Sequence, residues 1–509
     1  MLRIRVRYDL RKVHAPTANL HESPKRPIYN NCHPSFETIH QARNELHPVI
    51  LLQQHINRGL KRYAHMTGRE APSNLELRAN IHKRMHISST SPGSRKHAVN
   101  KRYNRYAVGR IIEPVTTPVN NAATKGRKGK ISNKNAAAGT DAANGTTSNG
   151  SAGFSEVDSE AALKGSLTPA GKPTADNSLG LDIEANDVGY IATVQIGTPP
   201  RDFKLLVDLS SADLWVGGED CHSEGGGCGN HVFLGAGSSS SFVDTKQQFQ
   251  VTYGSGAVAG DIITDDINVA GLDLKAHTFG VAAVESVDFS SDQTPFDGLM
   301  GLAQSTLSQQ QALTLVEALA KSGLIEDAIT SYKISRLADG KNDGEITFGG
   351  LDETKFDANT LITFDNVNRD GFWEGGMTVS VNGQDLELQD RTAIFDTGST
   401  LIIAPDADAT AVHQAIPGAK SDGQGGFTIP CSTAASVALT FGGQTFAINP
   451  QDLAFVPVDP DDPTGDCLSG IASGEIGDAK EWLVGDVFLK NAYFSTDVTK
   501  NQVSLAKLV

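Results

Sequence analysis

From residue 189 onward, short apolar runs alternate with turn-forming clusters. Tyr190-Ile191-Ala192-Thr193-Val194-Gln195-Ile196-Gly197 is followed at once by Thr198-Pro199-Pro200, and runs of similar length recur to the C-terminus between Gly, Ser, Thr and Asp. Apolar runs of strand length bounded by such residues predict β-strands. One stretch of this region, 310–321, predicts a helix: Leu313, Val316, Leu319 and Ala320 form a stripe at helical spacing, and Ser322-Gly323 end it. Upstream the pattern changes. His47-Pro48-Val49-Ile50-Leu51-Leu52 predicts a first strand, and 53–84 is polar, basic and compatible with helix. Residues 118–180 are rich in Asn, Ala, Gly, Ser and Thr and too poor in large apolar side chains to bury a core, which predicts a flexible linker.

Two of the predicted strands end in the same way. Leu205-Leu206-Val207-Asp208 runs into Leu209-Ser210-Ser211, and 188 residues later Ala393-Ile394-Phe395-Asp396 runs into Thr397-Gly398-Ser399. Each unit delivers a carboxylate from the end of an apolar strand into a turn of small residues. Two carboxylates brought face to face cannot readily ionise together, so one holds a proton while the other is a base. That pair is equipped to activate water. A lone Asp in such a turn more often bends or caps the chain; the paired arrangement gives these two their weight. A further likeness joins the halves: Asp208 precedes Gly301 in Phe296-Asp297-Gly298-Leu299-Met300-Gly301 by 93 residues, and Asp396 precedes Gly485 in Trp482-Leu483-Val484-Gly485-Asp486 by 89. Near-equal spacing is the mark of an internal repeat.

These segments together resemble the pepsin-like aspartic proteases, the fungal secreted type in particular, over residues 181–509. Asp396-Thr397-Gly398-Ser399 is that family's active-site motif. Tyr253-Gly254-Ser255-Gly256 is similar to its mobile flap, and the two apolar-apolar-Gly segments to those that thread behind each active-site loop. The resemblance implies an all-β, bilobal fold with pseudo-twofold symmetry and a central cleft. It implies Asp208 and Asp396 as the catalytic pair, supported by Ser211, Thr397, Gly398, Ser399 and Trp215. Residues 253–256 would close over the substrate, with Leu206, Tyr253, Phe296 and Leu299 on an apolar pocket, and either carboxylate could hold the shared proton. It also implies disulfides Cys221–Cys228 and Cys431–Cys467, leaving Cys32 over.

The first motif departs from the family pattern of Asp-Thr-Gly or Asp-Ser-Gly. Leu209 has no hydroxyl to bond across to the other loop, and Ser210 adds a side chain where the family has glycine. A serine there would be strained if the backbone needs a positive φ.

Charge divides the 509-residue chain. Residues 1–180 carry 28 Lys and Arg against 12 Asp and Glu, whereas residues 181–509 carry 16 against 47. A basic leader attached to an acidic body is drawn to it at neutral pH and released as carboxylates protonate. Charge alone fits equally a solubilising acidic surface beside an unrelated tail; the resemblance favours the zymogen, with an N-terminal segment (1–44), a propeptide (45–117), the linker (118–180), an N-terminal lobe (181–350) and a C-terminal lobe (351–509). The propeptide would act as inhibitor, with a lysine over the aspartates or a cut at a dibasic pair such as Lys83-Arg84. The expected activity is acid endopeptidase action on extended peptides or unfolded proteins; the alternative is a silent fold that binds peptides or proteins. No Cys and His cluster has metal-ligand spacing and no phosphate loop follows a strand, so no cofactor or metal is expected. The acidic body disfavours nucleic acid, no run is long enough to span a membrane, and a monomer is expected. The cysteine pairs suit an oxidising compartment, extracellular or vacuolar, although 1–40 contains no apolar run of a secretory signal.

Overall fold

The structure, a computed structural model, describes residues 47–90, 167–459, 461–474 and 479–509. The linker from 118 to 166, Cys32 and the dibasic pairs Arg95-Lys96 and Lys101-Arg102 lie outside the described residues.

The body is built of β-strands in two lobes. A 15-stranded sheet runs through the first half, and the C-terminal strands Tyr493–Asp497 and Gln502–Ala506 return to it beside Ile329–Lys333. Eight- and four-stranded sheets form the second half. The repeat inferred from spacing is visible in the pairing. Arg201–Asp208 pairs in parallel with Gly298–Gly301, which pairs antiparallel with Leu214–Ser223. In the second half Arg391–Phe395 pairs in parallel with Glu481–Val484, which pairs antiparallel with Ile402–Ala404. Each Asp-bearing strand thus gains a parallel neighbour without a hairpin, which requires a long crossover. The 93- and 89-residue spacings are those crossovers. Apolar strands buried on both faces carry the carboxylates: Leu205, Val207, Ala393, Ile394 and Phe395 are all at most 1 % exposed.

Three local expectations are corrected. Residues 47–52 are not a strand: Pro48–Met66 is a helix, α1, with Pro48 in its first turn and His47 Nδ1 accepting from the Val49 amide. The apolar run Val49–Leu52 is the start of a helical stripe that continues through Ile56, Leu60 and Tyr63, all buried, and proline suits a helix start. A second helix, α2, spans Asn74–Thr90. The helix expected at 310–321 covers only Leu315–Lys321. Asp213 takes the amides of Gln309 and Gln310 and the Ser308 hydroxyl, and Gln311 adopts φ 54°, so the preceding residues fold around that carboxylate instead. Asp213 is itself buried. The linker predicted to reach 180 is overrun as well, since Leu167–Thr168 pairs with Ser178–Glu184 and the latter joins the large sheet.

Candidate active site

Asp208 and Asp396 end their strands with no exposed surface. The strand pairing sets Asp208 opposite Gly301, and the Asp396 amide donates to the Val484 carbonyl at 3.1 Å. Each carboxylate is held by its own turn. Asp396 accepts from the Gly398 amide on Oδ1 at 2.8 Å and from the Ser399 hydroxyl on Oδ2 at 2.6 Å. Asp208 accepts from the Ser211 hydroxyl on Oδ2 at 2.7 Å, and from both the amide (3.1 Å) and the hydroxyl (2.8 Å) of Ser210 on Oδ1.

The loops are tied across the pseudo-twofold on one side. The Thr397 hydroxyl donates to the Val207 carbonyl at 2.9 Å and accepts from the Leu209 amide at 3.1 Å. Leu209 gives no reciprocal hydroxyl; its side chain is fully buried in the main core. Ser210 is unstrained, because neither it nor Gly398 takes a positive φ. Glycine is needed at 398 for another reason: a Cβ there would collide with Arg62 Nη2 and lie 2.6 Å from Asp208 Oδ1.

That arginine is the residue the sequence did not single out. Arg62 of α1 is buried, and its guanidinium bridges both carboxylates. Nε reaches Asp396 Oδ2 at 2.8 Å and Nη2 reaches Asp396 Oδ1 at 3.0 Å. Nη2 also donates to Asp208 Oδ1 and to the Ser210 hydroxyl. The group expected over the aspartates was a lysine; an arginine's planar fork engages two carboxylates at once, which an ammonium cannot do as well. Burial pushes the Asp208 carboxyl up, but the Arg62 charge and the hydroxyls of Ser211 and Ser210 outweigh it and hold it below the usual range. The two carboxylates in turn hold Arg62 charged despite burial.

The helix bearing Arg62 lies between flap and second lobe. Residues 253–256 join Val243–Thr252 to Ala257–Val269 in a hairpin tip, closed by Tyr253 N–H to the Gly256 carbonyl. Gly254 sits directly against α1: a Cβ there would meet Arg62 Cγ at 2.7 Å and the Arg58 carbonyl at 2.8 Å. On the other side Gly59 packs on Ile403, and the Tyr63 hydroxyl donates to the Glu481 carbonyl at 2.5 Å. Two further leader arginines are paired: Arg69 with Glu481 at 3.2 Å, and Arg84 with Asp422 and with the Gln424 carbonyl at 3.1 Å.

Tyr253 accepts from Trp215 Nε1 at 2.9 Å. Leu206, Tyr253, Phe296, Leu299 and Trp215 share one satellite apolar cluster. Phe289, which no motif flagged, is at its centre, with ring contacts to Trp215, Tyr253 and Phe296 at 5.3 to 6.3 Å. Both expected disulfides are formed, Cys221–Cys228 and Cys431–Cys467. Among the described residues the one cluster of potential metal-ligand type combines Cys221 and Cys228 with Glu285, and its cysteines are already joined to each other.

Two lobes that each offer a strand-end aspartate to a shared floor, under a hairpin, define the architecture of the pepsin-like proteins. Residues 189–508 match the family described as eukaryotic aspartyl protease, and the chain belongs to that family. It is similar to a probable aspartic-type endopeptidase CTSD of Trichophyton verrucosum, with 37 % identity over 66 % of this chain and 64 % of the relative. It is also similar to aspartic-type endopeptidase ctsD of Aspergillus fumigatus (34 %, 66 % of this chain and 69 % of the relative) and to rhizopuspepsin-1 of Rhizopus niveus (34 %, 63 % and 79 %). The chain thus spans just under two thirds of the first of these relatives.

Proposed function

We propose that this protein is an aspartic endopeptidase made as a zymogen, with Asp208 and Asp396 as its catalytic pair and residues 47–84 as part of an inhibitory propeptide. One observation carries the reading: a leader guanidinium bonded to both buried carboxylates at once, beneath the flap. A plug of that charge and shape has a use only where two carboxylates must otherwise be free.

In the released enzyme a water takes the place of Arg62 between the carboxylates. One carboxylate accepts a proton from this water as its oxygen attacks the scissile carbonyl carbon, and the protonated partner donates to the carbonyl oxygen. The neutral tetrahedral intermediate then breaks its C–N bond, the amine leaving with a proton returned by the pair. No covalent enzyme intermediate forms. The flap closes over an extended peptide, whose backbone is bound along the cleft and whose apolar side chains meet the wall of Leu206, Phe289, Phe296 and Leu299. Three leader arginines on acidic partners support release in acid. The two disulfides and the named relatives support a secretory-pathway protein, extracellular or vacuolar.

The missing hydroxyl at Leu209 favours one other reading, a silent fold that binds peptides without cutting them. Thr397 still ties the two loops and Ser210 adds a bond to Asp208, which supports a competent pair. Cleavage of an unfolded protein by the acid-treated full chain, from strongly acid to neutral pH and beside Asp396→Asn, decides between them. Acid activity abolished in the variant is expected; a folded, processed chain that cuts nothing refutes the protease.

A further inference from the structure

We infer that Ser210, the residue by which the first motif departs from its family, is a positioning residue that keeps Asp208 the ionised base of the pair. This rests on the reading of Asp208 and Asp396 as the proteolytic dyad.

The two carboxylates are held unequally by the body. Asp396 receives two hydrogen bonds from its own turn, one amide on Oδ1 and one hydroxyl on Oδ2. Asp208 receives the same two, from the Ser210 amide and the Ser211 hydroxyl, and a third from the Ser210 hydroxyl on Oδ1 at 2.8 Å. Glycine, which Gly398 provides at the matching point of the other loop, could not supply that bond. Donors directed at a carboxylate favour its charged form. The extra donor therefore breaks the near-symmetry of the pair in favour of a charge on Asp208.

The oxygen involved is the one that matters. Arg62 Nη2 touches Asp208 Oδ1, Asp396 Oδ1 and the Ser210 hydroxyl together, so these three oxygens converge on one point. The charged groups at Asp208 are Arg62 from α1 and Asp396 from the opposing loop; the buried carboxyls Asp213, further along its own loop, and Asp486, behind Asp396 and acted on by Lys490, are pushed toward their neutral form by burial, and Tyr253 of the flap faces it uncharged. When the leader departs, its cation goes. Among the described residues no cation of the body is paired with either carboxylate, so the hydrogen-bond donors of the two turns decide which one stays ionised.

The test uses the full chain activated in acid, with Ser210→Ala, Ser210→Gly (the family's own residue) and Ser210→Thr. Two readouts are taken against pH: kcat/KM on an unfolded protein substrate, and binding of a peptide whose scissile carbonyl is replaced by a hydroxyl-bearing carbon, measured calorimetrically with its proton uptake. Loss of the hydroxyl should move the acid limb of both profiles upward by about half to one pH unit, the share of one such hydrogen bond. Ser210→Thr should keep the parent limb. An active parent whose Ala and Gly variants keep its acid limb overturns the role of Ser210 while leaving the protease reading intact. A parent that neither cleaves nor binds the peptide overturns the dyad itself, and this inference with it.

Discussion

Replacing Arg62 by alanine removes the guanidinium from between two carboxylates that have no exposed surface. Its bonds to both oxygens of Asp396, to Asp208 and to Ser210 disappear together. Breaking a buried ion pair by deleting one partner costs about 3–5 kcal/mol. At about 1.4 kcal/mol per tenfold, docking of the leader should weaken by roughly a hundredfold to several thousandfold. The leader would not fall away entirely, because Leu52, Ile56, Leu60 and Tyr63 remain buried against the body. The consequence is an onset of activity at higher pH. The sign follows from linkage: Asp208 is held below its ordinary range in the docked state, so its contribution to docking is fully present above that range and is lost as pH falls through the depressed value. Variant and parent should therefore differ most near neutrality and converge in acid. The assay is cleavage of a fluorogenic extended peptide by the full chain across pH, with limited proteolysis reporting leader protection at neutral pH. Arg62→Lys, which keeps the charge but not the fork, should fall between them. An alanine variant that stays latent with the parent's pH of onset and an equally protected leader would refute the assignment of Arg62 as the plug.

Other perturbations reach different parts of the molecule. Tyr253→Phe leaves Trp215 Nε1 without its acceptor, at a cost of about 1–3 kcal/mol, and should lower kcat/KM for extended peptides at least tenfold; unchanged kinetics would separate the flap from catalysis. Arg84 is 1 % exposed although its dibasic neighbour Lys83 is exposed, so trypsin at neutral pH should spare the bond after Arg84 until Asp422→Asn removes its charged partner, a change read by mass spectrometry; equal cutting in both chains would contradict the buried clamp. Asp486 is buried, and neither of its oxygens has a hydrogen-bond partner among the described residues. Burial pushes its carboxyl well above the ordinary value, so the folded chain keeps a proton that the unfolded chain releases, and that contribution falls as pH rises. Asp486→Asn should then gain stability relative to the parent by about 1.4 kcal/mol per pH unit above the ordinary carboxylate range, measured by denaturant midpoints; a difference that is flat with pH would count against the raised value.

The body of this protein was legible because its signals are local and doubled. A strand that ends in aspartate, and a second that repeats it with near-equal spacing to an apolar-apolar-Gly segment, fix both carboxylates and the parallel neighbour behind each. The failures fall where a tertiary contact outweighs a local pattern. The stripe at 310–321 has helical spacing, yet Asp213, nearly a hundred residues earlier, binds the amides of Gln309 and Gln310, and Gln311 takes φ 54°, which a right-handed helix does not admit. Val49-Ile50-Leu51-Leu52 reads as a strand within its own window; only the buried residues 56, 60 and 63 beyond it reveal the helical period.

Arg62 was out of reach for a related reason. The segment 53–84 is basic throughout, and nothing in its spacing distinguishes the cation that meets both carboxylates from the others. Its partners lie 146 and 334 residues away, and the choice is made by packing. Ile56, Leu60 and Tyr63 fix the rotation of α1 against Ile403 and the flap, and that rotation directs position 62 at the dyad. The first motif shows the opposite error. Leu209 and Ser210 read as losses when compared with a pattern, because a pattern records which group is missing and not what its replacement can do. With an unstrained backbone at 210, a side chain where glycine is usual becomes one more donor to Asp208. A departure at a catalytic turn is therefore as much a candidate for retuned proton affinity as for lost function, and the acid limb of the pH profile is where the two differ.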